Sequence, residues 1–291
     1  MISSKNFVPT LSLLLTILTS SFSSSLYAAS ETIKFGILSI APPSRIHSQW
    51  QPFIEYVSKE IGQPIEIVIP RGFKKMKNEA AKGNVDLFYI NSRVFYRLKH
   101  NKQAFGVLQM QNLEGNITSH SEIYARHDSG INNLDDLKGK TIAYVSPMGA
   151  GGYLAPRAKL MSKGIKSGEV VKEVFTKNLS NSIHKVILGD LNAGTMCGVN
   201  FKLMSKRVDS GELVIIDVSD EYPENVIAAR SNLSKELTSK FQKIVTNMVN
   251  TEKGRKILDK MSDMKITKFL PYDPKVEQLT RDLLKQAKLK P

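Results

Sequence analysis

The stretch from 141 to 160 reads Thr-Ile-Ala-Tyr-Val-Ser-Pro-Met-Gly-Ala-Gly-Gly-Tyr-Leu-Ala-Pro-Arg-Ala-Lys-Leu and holds the residues best placed to do chemistry. Thr141 to Val145 is an apolar strand pattern. Gly149, Ala150, Gly151 and Gly152 form a turn, and Leu154, Ala158 and Met161 share one face of a following helix that tolerates Pro156 in its first turn. A helix that opens this way turns backbone N–H groups outward at the positive end of its dipole, which suits an anion or a polar ligand. A plain strand-to-helix turn has the same composition, and this segment alone does not separate the two uses. It is no nucleotide motif, because no Gly-Lys-Ser/Thr follows and the glycine spacing is not G-x-G-x-x-G.

Four polar residues, Asn91, Ser92, Asn178 and Ser180, fall at other strand-to-helix junctions and are expected across or beside that turn. Tyr153 is expected to face the same cleft. An aspartate at Gly151 is expected to block an anion while the fold survives, unless this glycine needs positive φ. Arg93 is a further possible anion contact, although such residues are more often solvated.

Catalytic and metal chemistry find no support. His47, His100, His120, His127 and His184 are scattered without metal-ligand spacing. Asp135-Asp136 reads as charge at a helix start. Cys197, the single cysteine, sits in an apolar stretch with no base near it in sequence and is expected to pack rather than react. No enzyme and no cofactor are expected.

Strand and helix patterns alternate along the chain, which argues for an α/β fold. Ile33 to Leu38, Ile65 to Ile69, Val85 to Ile90 and Ala104 to Gln111 read as strands. Trp50, Phe53, Ile54, Val57 and Ile61 mark a helix between the first two. A second set runs through the glycine turn, with strands at Val170 to Thr176, Ala193 to Val199 and Leu213 to Asp217 and a helix at Asn181 to Leu188. Ile123-Tyr124-Ala125-Arg126 and Ile227-Ala228-Ala229-Arg230 look like partners and are read as two antiparallel crossover strands. The expected architecture is two α/β lobes: residues 30–125, an inserted lobe at 126–226, and a return to the first lobe over 227–291 through three helices. Two such lobes enclose a cleft that closes on a ligand by hinge motion.

Residues 1–29 read as a secretory leader: Lys5, then an apolar run through Leu11 to Leu18, then small residues ending in Ala28-Ala29. The run is too short to be a stable membrane span, so a periplasmic protein is expected. Lys and Arg number 41 against 27 Asp and Glu, a formal net charge of +14. The excess suits an anionic ligand or surface. It is dispersed and carries no DNA- or RNA-binding motif, so nucleic acid is not expected. A monomer is expected.

On Val85-Asp86-Leu87, Ile131 to Val145, Gly152-Tyr153-Leu154-Ala155-Pro156-Arg157 and Val186 to Gly194, the chain resembles the phosphate/phosphite/phosphonate-type substrate-binding proteins of ABC importers, with the type II periplasmic-binding fold. The resemblance covers nearly all of the chain after the leader. It implies a ligand loop after the first strand, holding Ser44 and Arg45, and an aromatic liner at Phe73. It implies a partnership with an ABC permease.

The ligand motifs depart from the pattern. Gly149, Ala150 and Gly151 stand where the family places Ser-Thr-Ser. Lys177, Asn178 and Leu179 stand for Gly-Ser-His, Asn91-Ser92 for Gly-Pro, and Asn192 for an aspartate. Each lost hydrogen bond to a charged group costs roughly 1.5–3 kcal/mol if nothing replaces it. Weak or no binding of 2-aminoethylphosphonate and methylphosphonate is therefore expected. The reading is a solute-binding protein for a small polar or anionic ligand; the alternative is a ligand-sensing subunit for a membrane kinase or cyclase.

Overall fold

The computed structural model describes Met1 and residues 31–38, 42–206 and 212–291. Apart from Met1, the expected leader lies outside the described residues. Among the described residues no helix is long and apolar enough to cross a membrane.

Residues 31–291 form one compact unit. It begins with β1 (Ile33–Ile37), α1 (Pro43–Ile61), β2 (Ile65–Val68), α2 (Gly72–Ala81), β3 (Leu87–Ile90), α3 (Ser92–His100) and β4 (Ala104–Gln111). A short β5 (Thr118–Ser119) leads to β6 (Ser121–Arg126), β7 (Thr141–Tyr144), α4 (Ala155–Ser162), β8 (Lys172–Phe175), α5 (Leu179–Ile187), β9 (Ala193–Cys197), α6 (Gly198–Ser205) and β10 (Leu213–Val218). The chain returns through β11 (Tyr222–Pro223), β12 (Val226–Arg230), α7 (Lys235–Asn247), α8 (Glu252–Met261), β13 (Lys268–Pro271) and α9 (Val276–Gln286).

Two large sheets result, ordered β13-β4-β12-β3-β1-β2 and β10-β6-β9-β7-β8, with β11 and β5 pairing as a small third. Within them β1 runs parallel to β2 and β3, and β7 parallel to β8 and β9. Parallel strands bury both faces and so read as near-continuous apolar runs. On one face of the first sheet the helical stripe of Trp50, Phe53, Ile54, Val57 and Ile61 is buried against Phe35, Phe241 and Phe269. Ring centroids lie 5.5 Å apart for Phe35–Trp50 and 5.8 Å for Phe53–Phe269. Each such side chain contributes roughly 1.5–3 kcal/mol of burial.

Several expectations are corrected. The look-alike segments ending in Arg126 and Arg230 are not the crossover. β6 pairs with β9 and β10, while β12 pairs with β3 and β4 in the other sheet. Their likeness comes from a shared role, since each is a central strand buried on both sides. The crossover is the pair β5–β11, with Ser119 opposite Tyr222 and Thr118 opposite Pro223, too short to show a pattern. It places 121–126 with the second sheet, so the passage between sheets comes before residue 121.

The last helix does not simply rejoin the first sheet. In α9, Leu283 and Leu284 pack with Leu154, Ala155 and Ala158 at the start of α4, and the Arg157 Nε donates to the Ala287 carbonyl at 3.0 Å. Its apolar stripe shows that a partner exists but not which one. The strand read as 193–199 stops at Cys197, where α6 begins, and β13 has no counterpart in the sequence reading.

Candidate functional site

The glycine turn follows β7. Ala150 to Leu154 make one wide helical turn in which the Leu154 N–H donates to the Gly149 carbonyl at 3.1 Å, five residues back, and the Ala155 N–H to Ala150. α4 continues it. Pro156 has no N–H to give back to the Gly152 carbonyl. The Gly151 and Gly152 carbonyls take hydroxyl donors from neighbouring strands instead: Ser121 Oγ at 2.5 Å and Thr195 Oγ1 at 3.0 Å. The N–H groups that open a helix have no carbonyl before them, and here they open at a cleft.

That cleft has a volume of about 460 Å³ and lies between the two sheets. From the first sheet side come Leu38, Pro42, Phe73, Tyr89, Asn91 and Met110; from the second come Val145, Ser146, Gly149 to Gly152, Lys177 to Leu179, Met196 and Cys197. Ser119, Tyr222, Glu224 and Asn225 of the crossover, Val199 and Asn200 of α6, and Met264-Lys265 complete the wall. The parallel strands β1, β3, β7 and β8 point their carboxyl ends at it, the usual place for ligands in open α/β sheets.

Of the residues singled out in sequence, Phe73, Asn91, Gly149, Ala150, Gly151, Gly152 and Asn178 line this cleft. The other five do not. Tyr153 turns into the second sheet's core, its ring 4.9 Å from Tyr144 and 5.3 Å from Phe175, with its hydroxyl on Glu173 at 3.2 Å. Ser92 is buried in the first turn of α3 and its hydroxyl has no partner. Ser44 and Arg45 are exposed in the first turn of α1, just before the buried Ile46. Ser180 is exposed and within 3.2 Å of His184. A helix start exposes residues on several sides, and composition does not tell which side is inward.

Two capping side chains have their acceptor oxygen committed. Asn178 Oδ1 accepts from Asn181 N–H at 2.8 Å and Asn91 Oδ1 from Val94 N–H at 2.8 Å. Arg93 is not solvated as expected of an average arginine. Its guanidinium lies 5.1 Å above the Tyr153 ring, and burial lowers it to about 10.

Gly151 corrects an expectation. Its φ is not in the left-handed region, but a β-carbon there would meet the Tyr222 hydroxyl at 2.2 Å and Cζ at 2.4 Å. The glycine permits close approach of a ring, so Gly151→Asp would disturb the fold as well as the site.

Burial shifts two titratable groups of the wall. Burial pushes the Cys197 thiol up to about 12, which leaves it a thiol and no nucleophile. Burial also raises the Glu224 carboxyl, although the Asn112 amide donates to it at 3.2 Å. Lys177 and Lys265 both hold φ near +70° (72° and 68°) and both reach the wall. Among the described residues no group of His, Cys, Asp and Glu is set to hold a metal. Tyr222, Glu224, Met110, Met196 and Met264 escaped the sequence reading, since no motif marks residues that meet only across the cleft.

Residues 35–276 match the family model described as ABC transporter, phosphonate, periplasmic substrate-binding protein. The phosphate-import protein PhnD of Mycolicibacterium smegmatis is 25% identical over 239 residues, which is 76% of this chain and 73% of the relative. A stretch of 139 residues, 46% of this chain, is 26% identical to the tetrathionate sensor histidine kinase TtrS of Salmonella typhimurium, of which it spans 24%. Among solved structures, XAC2383 from Xanthomonas citri bound to ATP shares the fold with a TM-score of 0.78 at 18% identity, over 89% of this chain and 98% of that one. The match runs through both sheets and the cleft between them, and the chain belongs to the family of periplasmic substrate-binding proteins of phosphonate ABC transporters.

Proposed function

We propose that this chain is exported by its leader, captures a small polar or anionic solute in the cleft between its sheets, and hands it as a monomer to an ABC permease. The observation that carries this reading is the helix start at Ala150, whose unpaired N–H groups open where Gly149 to Gly152 line the cleft. A formal net charge of +14 draws anions toward it. Phosphate is the natural first probe, given the name of the Mycolicibacterium relative. The simplest phosphonates are poorer candidates, because residues 149–151 bring no hydroxyl and Leu179 no imidazole.

Calorimetry and thermal shift of the purified protein against phosphate, phosphonates, sulfonates and carboxylates test the reading. A ligand at 100 times its dissociation constant stabilises by about 2.7 kcal/mol. A protein that no member of the panel stabilises would refute anion capture. A second reading, a sensory subunit, draws support from the likeness to the TtrS kinase. Co-purification with a membrane kinase rather than a permease would favour it.

A further inference from the structure

Residues 149–151 bring no side-chain donor to the glycine turn, yet a donor stands there. The Tyr222 phenol comes from the crossover strand β11 and occupies the place where a side chain at residue 151 would begin. Tyr222 is buried to 6% exposure, with the Ser119 and Cys197 side chains within hydrogen-bond reach of its hydroxyl, and what remains of it lines the cleft. A phenol hydroxyl can donate to an oxyanion as a serine hydroxyl does.

The rest of the wall is dominated by apolar groups, among them Leu38, Phe73, Met110, Met196 and Met264. Methionines adapt to irregular apolar shapes and contribute polarisable contact. The two sheets are already clasped, with the Asn91 amide on the Met148 carbonyl at 3.2 Å, and still the cleft keeps about 460 Å³. That lies within the range of about 300–1,000 Å³ typical of pockets for drug-sized ligands. A bare oxyanion would leave most of it unfilled. Glu224 acts on the same phenol, and burial raises its carboxyl so that it holds its proton to higher pH. Asn112 donates to it at 3.2 Å and to the Thr118 carbonyl at 3.0 Å, so the carboxyl braces the crossover.

We propose that the cleft takes an anion with an apolar body, its charged group held between the N–H groups of residues 150–153 and the Tyr222 hydroxyl, and its body among Met110, Met196 and Met264. The proposal rests on the cleft being the solute site.

Calorimetry with phosphate, methylphosphonate, 2-aminoethylphosphonate and phenylphosphonate tests it on the wild type, Tyr222→Phe and Met264→Gln. Phenylphosphonate is expected to bind about tenfold or more tighter than methylphosphonate. Tyr222→Phe is expected to weaken phenylphosphonate roughly threefold to tenfold at an unchanged melting temperature. Met264→Gln is expected to narrow the ratio between phenylphosphonate and methylphosphonate, which a merely structural role would leave alone. Phosphate or methylphosphonate binding as tightly as phenylphosphonate overturns the apolar body and leaves solute capture standing. 2-Aminoethylphosphonate binding tightest would hand Glu224 an ammonium partner and overturn it too. Normal binding by folded Tyr222→Phe removes the phenol from the site. Binding of none of the four probes overturns this proposal together with anion capture.

Discussion

Asn91 and Met148 join the two sheets across the cleft. The Asn91 amide donates to the Met148 carbonyl at 3.2 Å while its own oxygen caps α3 through the Val94 N–H at 2.8 Å. The Met148 side chain packs against the first sheet's core. One short side chain thus starts a helix and closes the molecule, and both ends of its amide are engaged.

Asn91→Ser separates the two roles. Serine still caps the helix, so stability should fall by only a few tenths of a kcal/mol, but it is too short to reach Met148. Losing one net hydrogen bond of roughly 0.5–1.5 kcal/mol should speed release of the best-binding anion about twofold to tenfold. Stopped-flow release rates beside melting curves read both effects. An unchanged release rate would mean that the clasp does not hold the closed arrangement.

Gly151→Ala should destabilise by about 1–3 kcal/mol, the usual range for overpacking, because its β-carbon meets the Tyr222 ring rather than because of backbone strain. In a Tyr222→Leu background the same change should cost less. A double-mutant cycle from denaturant melts measures the coupling. Purely additive costs would place the strain elsewhere.

Glu224→Gln should show a pH signature. Burial raises the folded carboxyl above its ordinary value, so the folded chain holds that proton to higher pH than the unfolded chain does. Its contribution is fully present below the unfolded value and is lost as pH rises through the folded one. Glutamine keeps a carbonyl for Asn112 and has no proton to lose. Melts of the two proteins should lie closest near pH 4, and the variant should gain on the wild type as pH rises to 7. A gap that shrinks over this range would contradict the assignment.

Leu284→Ala should cost about 2–5 kcal/mol, as a core leucine truncation does, since Leu284 is 4% exposed against the start of α4. Hydrogen exchange should quicken in 150–162 before the first sheet's central strands. Loosening confined to the first sheet would contradict the packing of α9 on α4.

Local order was written in the residues themselves. Apolar runs located β1 and β4 within a residue, while the stripe from Trp50 to Ile61 marked only the later part of α1, which begins at Pro43. Asn91 and Asn178 stood out at strand-to-helix junctions, and in the structure both cap the helix that follows, because capping needs only a neighbouring N–H. The strand, glycine turn and helix from 141 onward were legible for the same reason: each depends on groups a few residues apart. Tertiary structure alone decided what faces the cleft. It turned Tyr153 into the core and put Tyr222 beside Gly151, chose β5–β11 over two longer look-alike strands as the crossover, and set methionines from β4, β9 and the segment before β13 around one space. These relations join residues far apart in the chain, and a side chain's type records that it packs but not what it packs against.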